Sequence, residues 1–139
     1  MAATLDAVLG IDVHELDAEH VVASFEVRDE HRQRFGLVHG GTYAAVAEFL
    51  ASEGTVHGVA PDGFGAVGAS NVTNFLRPVT EGTVRITGRA RHRGRRSWVW
   101  EIDFHAPNGR LCATTRVTMA VIDPPGEPPV ALQAPVSLR

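Results

Sequence analysis

The chain has 139 residues, 44% apolar and 21% charged, with a formal net charge of −3. That is enough for one domain with one core, and the balance gives no general affinity for nucleic acid. The apolar runs are too short to span a bilayer, residues 1–10 lack a basic stretch leading into an apolar one, and a single cysteine, Cys112, excludes an intrachain disulfide and fits a reducing cytoplasm.

Residues 3–9 suit a short helix. Residues 20–28 alternate, with Val21, Ala23, Phe25 and Val27 opposing Ser24, Glu26 and Arg28, which predicts a strand. Residues 29–38 are charged and irregular, a loop. From Gly40 to about Val56 the spacing is helical, with Tyr43, Ala47 and Leu50 on one face and Gly54 and Gly58 as stops. Pro61-Asp62-Gly63 is a turn. Four strands follow, at about 66–76, 83–91, 97–105 and 111–122, with Pro107-Asn108-Gly109 as the last hairpin turn. Val84, Ile86, Gly88 and Ala90 share one face. Trp98, Trp100, Ile102 and Phe104 share another, heavy enough to cover a helix and read as core. Cys112 falls in the apolar run LCATT, which predicts a buried, inert thiol. From Asp123 there are five prolines in 13 residues and no period. The expected organisation is therefore one domain over 1–122 and an arm or disordered tail over 123–139. One helix against a long antiparallel sheet makes an α+β domain. Dimerisation would cover the strand edge and sheet face left open.

The segment QRFGLVHGGTYAAVAEFLAS, residues 33–52, carries the chemistry. Gly40-Gly41 opens the helix, where free N–H groups can hold an oxyanion. Glu48 sits among Ala44, Ala45, Ala47 and Ala51, on what reads as a core-facing stripe; a carboxylate there is costly without a partner or a task. Together they suggest acyl chemistry. Gly40 and Glu48 are eight residues apart, about 12 Å along a helix axis. An oxyanion donor and a nucleophile must each lie within about 3–3.5 Å of one carbonyl. One helix cannot supply both, so either only one end matters or the other end comes from a second subunit; the site is expected across a dimer interface, Gln33 and Gly41 coming from one chain and Glu48 from its mate. Glu48 and Ser52 are i and i+4, close enough to hydrogen-bond. Each residue also has a plainer reading: Glu48 as a structural acid, His39 as a ligand of a backbone carbonyl, Gln33 as a solvated loop residue, Ser52 as an ordinary helix serine. His31, His39 and His57, spaced by eight and 18, fit no metal pattern, so no metal is expected.

Gln33, FGLVHGG at 35–41, Glu48 nine residues after His39, Ser52 four later, NFLRPVTEG at 74–82, the hairpin from Gly94 to Trp98, and NGRLCATTRVTMAVI at 108–122 form one pattern. Over about residues 15–122 it resembles the hotdog-fold acyl-CoA thioesterases of the 4-hydroxybenzoyl-CoA and 1,4-dihydroxy-2-naphthoyl-CoA type. The resemblance implies a long antiparallel sheet wrapped around one central helix, as a dimer or dimer of dimers with active sites at the dimer interface. It implies that Gln33 and the N–H of Gly40 or Gly41 polarise the thioester carbonyl, and that His39 holds the carbonyl or the loop. Glu48 is then nucleophile or general base, and Ser52 positions water or the carboxylate. The phenylacetyl-CoA branch usually has Asp where this chain has Glu48, so Glu favours the aryl-CoA branch. Thr42-Tyr43 is larger and more polar than the residues common there, and Arg95-Arg96 adds charge to the hairpin; both bear on specificity. Arg95 and Arg96 are candidates for the coenzyme A phosphates, and Thr114 and Thr115 for the pantetheine arm. The expected activity is hydrolysis of an aromatic or bulky acyl-CoA in the cytoplasm, with no cofactor beyond the coenzyme A of the substrate, and with neither nucleic acid nor membrane as partner. The alternatives are a phenylacetyl- or medium-chain acyl-CoA or acyl-carrier thioesterase, and a non-catalytic acyl-CoA binding module.

Overall fold

The computed structural model describes residues 3–124. The expected tail therefore lies outside the described residues from 125 onward. In chain order the elements are α1 (Leu5–Leu9), β1 (Asp12–Leu16), β2 (His20–Glu26), α2 (Gly40–Val59), β3 (Gly65–Phe75), β4 (Thr83–Arg93), β5 (Ser97–His105) and β6 (Leu111–Ile122), with 3-10 turns at Asp29–His31 and Ala60–Asp62. The strands form one sheet in the order β1-β2-β4-β5-β6-β3, every neighbouring pair antiparallel. The long helix α2 packs on one face of this sheet, the hotdog arrangement that the resemblance implied.

Strict alternation builds the contact between sheet and helix. In β5 every second residue is buried, Trp98, Trp100, Ile102 and Phe104. They face Tyr43, Val46, Ala47, Leu50 and Ala51 of α2, and Val21, Phe25, Val84, Ile86, Val117 and Met119 complete the core. Each large side chain so buried contributes on the order of 1.5–3 kcal/mol. Cys112 is buried as expected, its Sγ 3.3 Å from the Phe104 carbonyl oxygen, and burial pushes its thiol pKa up.

Two elements differ from the sequence reading. Strand β1 was not expected, because its pairing with β2 is interrupted between Val13 and Glu15, and Val13 is its one fully buried residue; a bulge erases the period-two signal. The helix does not stop at Gly54 or Gly58 but continues to Val59. Neither glycine has a positive φ. They serve as places of close approach: a Cβ at Gly54 would stand 2.5 Å from Trp100 Cζ2, and one at Gly58 2.4 Å from Trp98 Cη2. The Trp100 indole N–H donates to Thr55 Oγ1 at 2.9 Å, fixing the ring against the helix. The stop comes instead from Pro61 and from Gly63 at φ 86°.

Strand β3 is the outer strand of the sheet on the β6 side. Most of its residues are exposed, among them Val67, Val72 and Phe75. Its second edge has no partner strand among the described residues.

Candidate active site

The chain enters α2 through a braced turn. Gln33 N–H donates to Leu37 O at 2.8 Å, and Gly36 N–H donates back to Gln33 O at 2.9 Å. Gly36 takes φ 89°, a conformation that suits glycine. The Gln33 Oε1 accepts the Phe35 N–H, which orients the amide and leaves its NH2 as the outward donor. Val38 N–H donates to Val79 O at 2.8 Å, and His39 N–H donates to His31 O at 2.7 Å.

His39 is the N-cap of α2, and its Nδ1 accepts the Gly41 N–H at 2.8 Å. The sequence reading offered both Gly40 and Gly41 as oxyanion donors. Within the chain His39 takes the Gly41 N–H, so Gly40 supplies the remaining donor of the pair, one of the four that a helix start leaves unpaired. Its side has no room for a Cβ: one would stand 2.7 Å from the Phe75 ring. An acceptor at Nδ1 places the neutral ring's proton on Nε2, so His39 presents a donor outward.

Glu48 follows on the same helix, about 12 Å further along the axis. Its placement corrects one expectation: in the single chain Glu48 is exposed rather than core-facing, while its neighbours Ala47 and Ala51 are fully buried. The alanines turn inward and the acid turns out toward the β3 side. The carboxylate lies over bare backbone, since a Cβ at Gly68 would stand 2.7 Å from Glu48 Oε1. A recess of about 270 Å3 opens beside it, lined by Leu5 and Asp6 of α1 and by Ala45, Phe49, Ser52 and Glu53 of α2. Burial pushes the Asp6 carboxyl up from its ordinary range; burial and then the Asp6 charge do the same to Glu53. Ser52 shares the recess, but its hydroxyl points to Met119 Sδ at 3.8 Å and makes no bond to Glu48.

The remaining candidates lie elsewhere. Arg95 and Arg96 occupy the β4–β5 hairpin, beside an open groove lined by Gly58, Val59 and Trp98 at the C-terminal end of α2. Eighteen residues separate Gly40 from Gly58, about 27 Å of helix. Within one chain these arginines are therefore remote from the Gly40 turn. Thr114 and Thr115 do not act as a pair, because adjacent strand residues point to opposite faces. Thr114 donates to Asp103 Oδ1 at 2.7 Å, while buried Thr115 shares a 3.0 Å hydrogen bond with Thr73 on the other face. The Thr42-Tyr43 departure does not shape a pocket. Tyr43 is buried edge-on to Phe104 at 5.0 Å, and Thr42 Oγ1 donates to His31 O at 3.0 Å. Among the described residues no group of three or more His, Cys, Asp or Glu is arranged to hold a metal.

The sequence reading missed Gly68, Asn71 and α1 as parts of this region. Asn71 Nδ2 donates to the Ala44 carbonyl at 2.9 Å, stitching β3 to the helix turn before Glu48. Gly68 had a signal: an isolated glycine inside a strand pattern marks a close approach.

The chain matches the model of the thioesterase superfamily over residues 35–113. It is 39% identical over 121 residues to the proofreading thioesterase EntH of Klebsiella pneumoniae, covering 86% of each chain. Among solved structures it is similar to a variant of thioesterase PA1618 from Pseudomonas aeruginosa, with TM-score 0.81, 34% identity and 86% of each chain covered. It is also similar to thioesterase HI1161 from Haemophilus influenzae, with TM-score 0.82, 29% identity, and 91% of this chain and 87% of that one covered. A helix start with a free amide, an acid further down the same helix and these matches lead to one family: the chain belongs to the thioesterase superfamily, as a hotdog-fold thioester hydrolase.

Proposed function

We propose that the protein hydrolyses an aromatic or bulky acyl-CoA of the 4-hydroxybenzoyl-CoA or 1,4-dihydroxy-2-naphthoyl-CoA kind, in a site built by two chains. The carrying observation is the separation of the two halves of the machinery on one helix. The Gly40 amide and the Glu48 carboxylate are about 12 Å apart along α2, so one thioester cannot reach both in one chain. The unpaired edge of β3, beside which Glu48 lies, is where a second copy would add its strand and bring its Gly40 turn to this acid.

In this reading the thioester oxygen lies between the Gly40 N–H and the Gln33 NH2, with His39 bracing the turn. Both donors are fixed before substrate arrives, which is what makes an oxyanion hole effective. Glu48 of the other chain stands at the carbonyl carbon. As nucleophile, its oxygen bonds to that carbon, the C–S bond breaks, coenzyme A leaves as thiolate, and water then cleaves the mixed anhydride. As general base, it takes a proton from water, whose oxygen attacks directly. Both routes give free acid and coenzyme A. A thiolate leaves without prior protonation, so the design needs no strong acid and no cofactor. Ser52 lies one turn beyond Glu48 and positions water after rotating from Met119. Arg95 and Arg96 serve as contacts for the coenzyme A phosphates only where assembly brings a partner's hairpin to the mouth of the site.

The likeness to a protein named a proofreading thioesterase favours a second reading, in which the enzyme clears many stalled or wrongly formed acyl thioesters, including those on a carrier protein. Thiol release from benzoyl-, 4-hydroxybenzoyl-, hydroxynaphthoyl-, phenylacetyl-, hexanoyl- and palmitoyl-CoA, with wild type and Glu48→Ala, separates the two. One favoured aryl ester, with turnover lost in the variant by several orders of magnitude, supports the first reading. Similar kcat/KM across the panel, lost in the same variant, supports the second. Turnover that survives Glu48→Ala removes Glu48 from both.

A further inference from the structure

His31 lies outside the groups used above, yet it is fully buried, and its hydrogen bonds reach both halves of the site. Its Nδ1 accepts the Arg28 N–H at 2.9 Å, and its Nε2 lies 2.7 Å from the Leu9 carbonyl oxygen. A backbone N–H can only donate and a carbonyl can only accept. The ring must therefore be neutral with its proton on Nε2, the single form that satisfies both neighbours. Leu9 is the last residue of α1, whose Leu5 and Asp6 line the recess beside Glu48. The ring thus holds the wall of that recess, assisted by Arg28, whose guanidinium donates to Val8 O at 2.7 Å.

The backbone of the same residue holds the other half. The His31 carbonyl oxygen accepts two hydrogen bonds, from the His39 N–H at 2.7 Å and from Thr42 Oγ1 at 3.0 Å. The next N–H after His39 is that of Gly40. Phe25 packs on the His31 ring, with centroids 4.8 Å apart, so the ring cannot move without disturbing the sheet. Ring and carbonyl together tie three pieces of chain to one point: the end of α1, the Asp29–His31 turn and the first turn of α2.

We propose that His31 is a positioning residue for thioester hydrolysis: its ring sets the wall of the Glu48 recess, and its carbonyl sets where the Gly40 amide stands. The inference rests on the reading of Gly40 as oxyanion donor and Glu48 as reacting acid. His31 touches no substrate; it acts through His39, Thr42 and α1.

The test uses the full chain and the acyl-CoA that wild type turns over fastest. His31→Phe keeps a ring against Phe25 and removes both ring hydrogen bonds. His31→Gln keeps one acceptor and one donor. Thr42→Val leaves the ring untouched and removes one of the two bonds to the carbonyl. A reacting geometry displaced by about 1 Å costs on the order of 100-fold in rate. The expected result is a kcat at least about tenfold lower in His31→Phe with KM within about twofold, a smaller loss in Thr42→Val, and recovery of most of kcat in His31→Gln. Circular dichroism and oligomeric state establish that each variant is folded. If His31→Phe does not fold, Thr42→Val and His31→Gln decide: a lowered kcat in the first and a near-normal one in the second upholds the inference. Folded variants with reduced melting temperature and unchanged kcat overturn it, leaving His31 a purely structural residue. Glu48→Ala in the same assay keeps the two claims apart. If that variant is inactive while the His31 variants turn over normally, only this inference fails; if it is fully active, the reading of the site fails and this inference with it.

Discussion

Gly68→Ala tests the site through a single methyl group. The Cβ would stand 2.7 Å from Glu48 Oε1 and 3.3 Å from its Cδ. Ordinary contact begins at 3.4 Å, so the carboxylate must retreat by about 0.7 Å. It can, because Glu48 is exposed and its long side chain has other rotamers open to it. Stability should change little: alanine gains about 0.5–1 kcal/mol over glycine in backbone entropy, which offsets the small cost of moving a surface side chain. Rate should not be spared. With about 100-fold lost per ångström of misplacement, a shift of this size lowers kcat roughly 10- to 50-fold. KM should stay near wild type, since Gly68 does not line the recess beside Glu48. Initial rates of thiol release measure kcat, and a urea titration measures stability at the same protein concentration. Gly68→Ala combined with Glu48→Ala should be no slower than Glu48→Ala alone. A Gly68→Ala protein with wild-type kcat would show that the Glu48 conformation lying over Gly68 is not the reacting one.

If the acid and the amide come from different chains, mixing Glu48→Ala and Gln33→Ala proteins under exchange should restore activity. Half of randomly formed dimers are mixed and each holds one intact site, so recovery approaches about one quarter of wild type; no recovery would place both groups in one chain. Gly54→Ala should be destabilising by up to about 2 kcal/mol, because overpacking a buried indole costs about 1–3 kcal/mol against about 1 kcal/mol returned in helix propensity. A urea or thermal melt that shows greater stability would contradict the close Trp100 contact. Glu53 bears on pH. Its pKa is raised in the fold, by burial and then by Asp6, so the fold favours the protonated form. That contribution is present below the unfolded value and lost as pH rises through the raised one. Glu53→Gln should therefore raise the melting temperature at pH 7 and leave it nearly unchanged at about pH 3.5; an equal gain at both would point to packing instead.

Much of this architecture is written in local pattern. β5 and β6 have the limits that alternation and the Pro107-Asn108-Gly109 turn give them, because a half-buried strand between turn residues carries its own boundaries. The Gly40-Gly41 helix start is likewise local. What escaped was set by partners distant in sequence. Gly54 and Gly58 read as helix stops because nothing nearby announces the indoles of Trp100 and Trp98 that rest on them. Glu48 read as core-facing because alanine is small on every side, and the pattern of apolar positions cannot then tell which face turns inward. Thr114 and Thr115 were grouped for one task although a strand's period of two already separates any adjacent pair.

The composition of β3 bears on how the protein survives its own synthesis. Edge strands are commonly guarded by charge, by proline or by brevity. This one runs for 11 residues as GAVGASNVTNF, with neither a charged residue nor a proline, and the chain contains no lysine anywhere. A newly folded copy carries an unguarded strip to which any extended polypeptide can add. If a second copy covers this strip, as proposed, rapid encounter with its own kind is a safeguard against aggregation, and expression level and dilution decide which neighbour arrives first.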